Sequence, residues 1–219
     1  MHRNTSLLAR ISGILPPPRL NVSVYKGVRY HRDGQVCSCR FCEIVRARAE
    51  LFLYEDEKVV VFRPLRPIMA SHVLIVPRAH IQNVNRLATR HRELLVRMYR
   101  VAKAVMIKIT EPGAFDEQMD LKLEELDDTY KNPVRYSFHV PPFNSIDHVH
   151  MHVFHDDARS LGCYGRIKYR TKSWWCRSYD EVMDRLTDIA DDEQHDEGAD
   201  LETSSSTTSS PSFEEHRIA

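Results

Sequence analysis

Three histidines, His148, His150 and His152, alternate with aliphatic residues in the second half of the chain. A β-strand turns successive side chains to opposite faces, so this spacing puts the imidazoles on one face and the aliphatic side chains in the core. An imidazole is largely unprotonated at neutral pH and can attack phosphorus without prior activation by a base. The run therefore predicts a reaction site on a strand. The alternative is a polar outer strand face that is merely rich in histidine.

Two cysteines offer a second kind of chemistry. Cys39 and Cys42 are separated by two residues, a spacing at which both thiolates can bind one tetrahedral ion. Such a pair needs two further nitrogen or sulfur ligands from elsewhere, and Cys37 could replace Cys39. An odd total of five cysteines fits a reducing compartment and metal binding better than a disulfide framework.

Hydrophobic periodicity predicts the elements that would position these residues. It indicates a cysteine-bearing turn and short helix over 36–48, a long amphipathic helix from Thr89 to Ile109 and a closing helix from Tyr179 to Ile189. The expected strands are Leu51 to Tyr54, Val59 to Phe62, His72 to Val76, Val134 to Val140, Asp147 to Phe154 and Ile167 to Tyr169. Strands adjacent in sequence, with helices on one face, predict an α+β fold.

Composition divides the chain into three parts. We expect one domain over residues 36–190, a basic extension over 1–35 and an acidic, Ser-rich tail over 191–219 that buries too little apolar surface to order. The first 20 residues contain no acid, which leaves a mitochondrial transit peptide open. A disordered tail is the preferred interpretation, because three consecutive prolines at 16–18 interrupt any amphipathic helix.

Overall charge excludes some classes of partner. Lys plus Arg and Asp plus Glu number 31 each, so no net field favours nucleic acid or a membrane surface. No apolar run is long enough to span a bilayer or to form a secretory signal. We therefore expect an intracellular protein, cytoplasmic or nuclear unless the basic amino terminus directs it to mitochondria.

Several segments together resemble a known family. The run from His148 to Phe154 has the form His-φ-His-φ-His-φ-φ, where φ is hydrophobic. Supporting segments are Cys39 to Ile44, Tyr54 to Glu57, Val73 to Ile81, Phe138 to Phe143 and Ser173 to Trp175. They resemble the histidine triad (HIT) superfamily of nucleotide hydrolases and transferases, and within its Hint branch the third group, the adenosine 5'-monophosphoramidases. The resemblance implies an antiparallel sheet of about five strands with the long and closing helices packed on it.

The resemblance also implies roles for individual residues. His150 would be the nucleophile that forms a nucleotidyl-histidine, His152 would contact the phosphate, and Ser145 would lie near the leaving group and donate a proton to it. Ser145 could instead cap the turn before the strand. Nucleotide contacts are expected from Leu65, Asn144, Ser145, His150 and His152.

For the cysteine pair, the resemblance implies a zinc site. The two further ligands would be His80 and His148, and four protein ligands make such a site structural, because no position stays open for substrate. Zinc would then connect the amino-terminal turn to the catalytic strand.

One position departs from the family pattern. Pro64 stands where the Hint branch has the Asp that binds the ribose hydroxyls, and a proline ring cannot accept those hydrogen bonds. We therefore expect weaker binding of adenosine nucleotides, or binding of the sugar by other groups. Arg63 and Arg66 could instead favour an additional phosphate.

The predicted activity is hydrolysis of the P–N bond of nucleoside 5'-phosphoramidates, and the resemblance to Hint proteins implies a homodimer. Alternatives are another HIT nucleotide hydrolase or transferase activity, including removal of adenylyl groups from nucleic acid ends, and a nucleotide-binding regulator with little turnover. Cys163 and Cys176 form no second zinc motif, so a nucleic acid partner is not expected.

Overall fold

The computed structural model describes residues 23–111, 113–121, 123 and 132–190. Its strands are β1 (Ser23–Tyr25), β2 (Val28–Tyr30), β3 (Val36–Cys39), β4 (Phe52–Glu55), β5 (Val59–Phe62), β6 (Val73–Pro77), β7 (Val134–His139), β8 (Met151–His155) and β9 (Cys176–Ser178). Its helices are α1 (Arg40–Ala47), α2 (Arg92–Lys108), α3 (Ala158–Lys168) and α4 (179–190). Two short 3-10 turns, Val84–Arg86 and Thr89–His91, precede α2.

A six-stranded antiparallel sheet forms the centre of the fold, with strand order β4-β5-β6-β8-β7-β9. The predicted α+β class and antiparallel sheet are confirmed. The hairpin of β4 and β5 also forms as predicted, and its turn is fixed by Asp56, whose carboxylate accepts the backbone N–H groups of Lys58 and Val59 at 2.7 and 2.8 Å. The sixth strand is β9, which the sequence pattern did not indicate.

One face of this sheet carries the main core. The aliphatic residues of the histidine run, Val149, Met151 and Val153, point into this core as predicted. They pack with the apolar stripes of α2 and α4, including Met98 and Leu186, which have no exposed surface. Burying one such side chain stabilises the fold by roughly 1.5–3 kcal/mol. A one-residue slip of β8 would expose these residues and bury histidines in their place, so the core fixes the register of the histidine run.

The opposite face is covered in part by β1, β2 and β3, which form a separate three-stranded sheet. Val28 and Tyr30 of β2 and Phe41 of α1 share a buried cluster with the residues of β5 and β6 that face this side. Within the predicted basic extension over residues 1–35, β1 and β2 therefore belong to the packed structure. The two strands have three residues each and polar neighbours, so they lack a clear alternating signal.

Helix α3 covers another part of the same face, and it corrects a second prediction. The segment from Ile167 to Tyr169 was expected to be a strand, but its first two residues end α3. The helix begins after Asp157, whose side chain accepts the backbone N–H of Arg159 at 2.9 Å. The strand that pairs with the outer edge of β7 is β9.

Strand β8 begins later than expected, at Met151 and not at Asp147. Residues 147–150 direct their backbone bonds to loops outside the sheet: the Asp147 N–H donates to the Lys26 carbonyl at 2.9 Å, and the Val149 N–H donates to the Ile81 carbonyl at 2.7 Å. The first two histidines of the run therefore stand just before the strand, and His152 stands on it.

None of the helices among the described residues combines the length and the apolar composition that crossing a membrane requires. The predicted tail over 191–219 and residues 1–22 of the predicted extension lie outside the described residues.

Candidate active site and metal cluster

The ring of His150 has a defined tautomer. Its Nδ1 lies 2.7 Å from the backbone carbonyl oxygen of His148, so Nδ1 carries the proton and donates it to that oxygen. The lone pair is then on Nε2, which is buried and has no hydrogen-bond partner among the described residues. Burial lowers the pKa of His150 to about 4, so the ring is neutral at pH 7. This combination leaves an unprotonated nitrogen available for nucleophilic attack.

A small cavity adjoins His150, and Asn144, Asn83, Phe138 and His139 are among the residues that line it. Asn144 is buried and donates from Nδ2 to the Asp147 carboxylate at 3.1 Å, while its Oδ1 has no partner among the described residues. Two of the residues that line this cavity thus carry a buried polar atom without a partner among the described residues, as expected where a polar ligand binds. The cavity measures about 10 Å³, the space of about one water molecule, and is too small for a nucleotide.

His152 belongs to a chain of three hydrogen-bonded histidines whose tautomers are all determined. The Ile68 N–H donates to His72 Nδ1 at 3.1 Å, so His72 must donate from Nε2 to His152 Nδ1 at 3.0 Å. His152 in turn donates from Nε2 to His139 Nδ1 at 3.1 Å, and His139 donates from Nε2 to the Lys168 carbonyl at 3.3 Å. Both nitrogens of His152 are therefore occupied, and contact with a phosphate would require it to exchange one partner.

Burial is the main cause that lowers the pKa of each member of this chain. The pKa falls to about 3 in His72 and to about 4 in His139, and that of His152 lies well below its usual value. All three rings are thus neutral at pH 7, which agrees with the alternating donor and acceptor pattern.

The structure brings together the four predicted metal ligands, Cys39, Cys42, His80 and His148, with their ligand atoms all within 4.8 Å of one another. The Nδ1 of His148 lies 3.4 Å from the Cys39 sulfur and 3.6 Å from the Cys42 sulfur, and the Nδ1 of His80 lies 3.5 Å from the Cys42 sulfur. Ligands of a tetrahedral Zn²⁺, with sulfur at ~2.3 Å and nitrogen at ~2.0 Å, stand about 3.5 Å apart. Cys37 is exposed and lies outside the cluster.

The electrostatics of the cluster also fit a cation. The neighbouring Cys42 thiol, by hydrogen bonding, holds the pKa of Cys39 far below its usual value, and the same interaction raises the pKa of Cys42. Two thiols this close carry a single negative charge between them. A bound cation would stabilise the second thiol in its ionised form as well. His148 Nε2 donates to the Pro77 carbonyl at 3.0 Å, which leaves Nδ1 as the ligand atom.

A buried carboxylate fixes the start of the histidine run. Asp147 has no exposed surface and accepts three hydrogen bonds from neutral donors: the Tyr30 hydroxyl at 2.7 Å, Asn83 Nδ2 at 2.9 Å and Asn144 Nδ2 at 3.1 Å. These donors come from β2, from the segment before the first 3-10 turn and from the loop after β7. Sequence reasoning missed this role, and the signal that could have indicated it is an acid placed directly before the first histidine of the run.

Two predicted site residues stand apart from the histidines. Ser145 is exposed and makes no hydrogen bond to any described residue, and it is outside the cavity at His150. The Leu65 side chain is 83% exposed. Arg63, considered for an extra phosphate, donates to the Ala70 carbonyl at 3.2 Å and lies over the Phe115 ring at 4.2 Å. The roles given to Ser145 and Leu65 stay predictions.

The sequence and fold of this chain are similar to those of several known proteins. Residues 38–168 match the family model described as scavenger mRNA decapping enzyme C-term binding. The adenosine 5'-monophosphoramidase HINT3 of Xenopus tropicalis is 34% identical over 152 residues, which cover 68% of this chain and 87% of the relative. The bifunctional adenosine 5'-phosphosulfate phosphorylase/adenylylsulfatase HINT4 of Arabidopsis thaliana is 34% identical over 120 residues, 53% of this chain and 69% of the relative. A solved HIT family hydrolase from Clostridium thermocellum aligns with a TM-score of 0.43 and 21% identity over 56% of this chain and 93% of that chain.

The antiparallel sheet and the alternating histidines define a histidine triad domain. The family model matches more than half of the chain, and the amphibian relative matches two thirds of it. The chain belongs to the histidine triad family, and its relatives include proteins named as adenosine 5'-monophosphoramidases.

Proposed function

We propose that this protein hydrolyses the P–N bond of nucleoside 5'-phosphoramidates through a covalent intermediate on His150. The observation that carries the proposal is the state of that ring: Nδ1–H donates to the His148 carbonyl, and Nε2 is unprotonated and has no partner in the described part of the chain. A nucleophile for phosphorus needs such a fixed lone pair. The relatives named as phosphoramidases support the choice of bond.

The reaction takes place in two displacements. The Nε2 lone pair forms a bond to phosphorus while the P–N bond of the substrate breaks, and the amine leaves with the bonding electrons and takes up a proton. Water then attacks the same phosphorus, the bond to Nε2 breaks, and the nucleoside monophosphate is released. We assign the proton transfer to the amine to Ser145 and a polar nucleotide contact to the free Oδ1 of Asn144, with the loop that carries both rearranging around the substrate.

We propose zinc as the ion of the Cys39, Cys42, His80 and His148 cluster, because two thiolates and two imidazoles at tetrahedral spacing are the donor set that zinc prefers. The ion would act structurally. It would hold α1 against the histidine run, where Phe41 already packs edge-on against the His150 ring with centroids 5.1 Å apart.

Homodimerisation also stays a proposal, taken from the resemblance, and light scattering of the purified chain tests it.

Trapping the intermediate tests the proposal. Wild-type protein incubated with adenosine 5'-phosphoramidate labelled at phosphorus should turn over and, on rapid quenching, carry an acid-labile label. His150→Ala should lose both the turnover and the label, and His31→Ala, which changes an exposed histidine, should keep both. A His150→Ala protein that retains turnover and label would exclude His150 as the nucleophile.

A second candidate reaction is supported by the plant relative, which is named as a phosphorylase and sulfatase of adenosine 5'-phosphosulfate. The same attack on phosphorus would then expel sulfate, a leaving group that needs no proton. Measuring kcat/KM for both substrates on one preparation distinguishes the two, and a Ser145→Ala variant should slow only the amine-releasing reaction.

A further inference from the structure

The histidine cluster formed by the chain of His72, His152 and His139 supplies no positive charge. His72, His152 and His139 each accept a hydrogen bond at one ring nitrogen and donate one from the other, which is the pattern of a neutral ring. A transferring phosphoryl group carries negative charge on its non-bridging oxygens, and catalysis of such transfer depends on cationic donors placed beside them. Another group must therefore provide that charge.

Lys168, at the end of α3, lies beside this cluster. Its backbone carbonyl is the acceptor that ends the histidine chain. Its ammonium nitrogen lies 5.3 Å from the centre of the Tyr169 ring, and that ring packs against His139 and His152 with centroids 5.0 and 5.2 Å apart. The lysine charge is thus one aromatic ring away from the cluster.

The charge of Lys168 acts on the three rings of this chain. After burial, which is the larger cause, it contributes to the lowered pKa values of His72, His139 and His152. A cation that disfavours protonation of these three rings is also close enough to attract an anion bound beside them.

Lys168 is also not committed to another ionic partner. Among the described residues no carboxylate lies within ion-pair distance of its ammonium, and its side chain is only partly buried. By contrast, Arg135, on the same face of β7 as His139, is paired with Asp156 at 2.6 Å and also donates to the Tyr169 carbonyl. A lysine has a flexible four-carbon stem and three donors, so it can turn towards a bound phosphate.

We propose that Lys168 is a catalytic residue of this site, whose ammonium contacts the non-bridging oxygens of the phosphoryl group that His150 attacks. This inference rests on the proposed function. It predicts that the α-phosphate of a nucleotide, and not its base or sugar, is the part of the ligand that recognises Lys168.

The test compares Lys168→Met and Lys168→Arg with Arg166→Met, which removes an exposed cation two residues away on the same helix. Lys168→Met should lower kcat/KM for adenosine 5'-phosphoramidate by about 10²-fold, as loss of one charge-stabilising donor does. Lys168→Arg should recover most of that loss, and Arg166→Met should stay within about twofold of wild type. Lys168→Gln serves as the neutral variant if Lys168→Met does not fold, as judged by its thermal unfolding.

Binding provides a readout that a merely structural role would not change. In Lys168→Met the inhibition constant of AMP should rise by about tenfold, while that of adenosine, which lacks the phosphate, should not change. Equal loss for both ligands, or Lys168→Met kinetics like those of Arg166→Met in an active wild-type background, would overturn the proposal. A wild type that hydrolyses no phosphoramidate refutes the proposed function itself, and the role of Lys168 falls with it.

Discussion

Replacing Tyr30 with phenylalanine should destabilise the protein by about 2 kcal/mol. The Tyr30 hydroxyl donates to the Asp147 carboxylate at 2.7 Å, and burial together with this bond raises the pKa of the phenol, so the donor stays protonated. A hydrogen bond to a charged group contributes about 1.5–3 kcal/mol. Asn83 and Asn144 would still hold the carboxylate, so the cost stays below the 3–5 kcal/mol of a buried charge that loses its partner.

The assay is equilibrium unfolding in urea at pH 7, with Tyr25→Phe as the matched control. Tyr25 lies on β1 of the same small sheet, but its side chain is 39% exposed and makes no hydrogen bond to any described residue. The control should change the free energy of unfolding by less than about 0.5 kcal/mol. A Tyr30→Phe effect no larger than the control would refute the role given to Asp147 as the anchor of the histidine run.

Three further predictions concern titration, metal and core. His72 and His139 have folded pKa values of about 3 and about 4 against an unfolded value of 6.5, so the unfolded state binds more protons between these limits. The free energy of unfolding should therefore be highest above pH 6.5 and fall by about 1.4 kcal/mol per pH unit for each ring as the pH drops towards 4. A urea midpoint that does not change between pH 6.5 and pH 5 would contradict this. Cys42→Ser should lower the zinc content measured by plasma mass spectrometry and the melting temperature, whereas Cys163→Ser, at an exposed cysteine, should change neither. Leu186→Ala should cost about 2–5 kcal/mol in urea unfolding, and a cost below 1 kcal/mol would mean that α4 is not part of the core.

The sequence predicted the elements whose signal is local. The alternation at Val149 and Met151 identified the inward face of the histidine run, and the spacing over Thr89 to Ile109 identified α2. The sequence did not predict the elements that depend on strand pairing between distant segments. The three residues of β9 have no pattern of their own and form a strand by pairing with β7, whereas Ile167, expected in a strand, lies in the last turn of α3.

For the site, motif positions were more informative than composition. The cysteines and histidines of the metal cluster were predicted from their spacing and from the resemblance, because few residue types can bind a metal ion. Asp147, Tyr30 and Lys168 could not be found that way, since their roles depend on burial and on neighbours up to 117 positions apart. One available signal was the acid directly before the first histidine, an unusual place for a charge in an apolar run.

His148 serves two structures at once. Its ring lies among the cysteine sulfurs, and its backbone oxygen selects which nitrogen of His150 is free. Oxidation of those thiols would remove the sulfur contacts of the ring, which belongs to the same residue as the oxygen that orients the neighbouring imidazole. An oxidant that lowers activity would then act at sulfurs on a different segment of the polypeptide, without damage to His150.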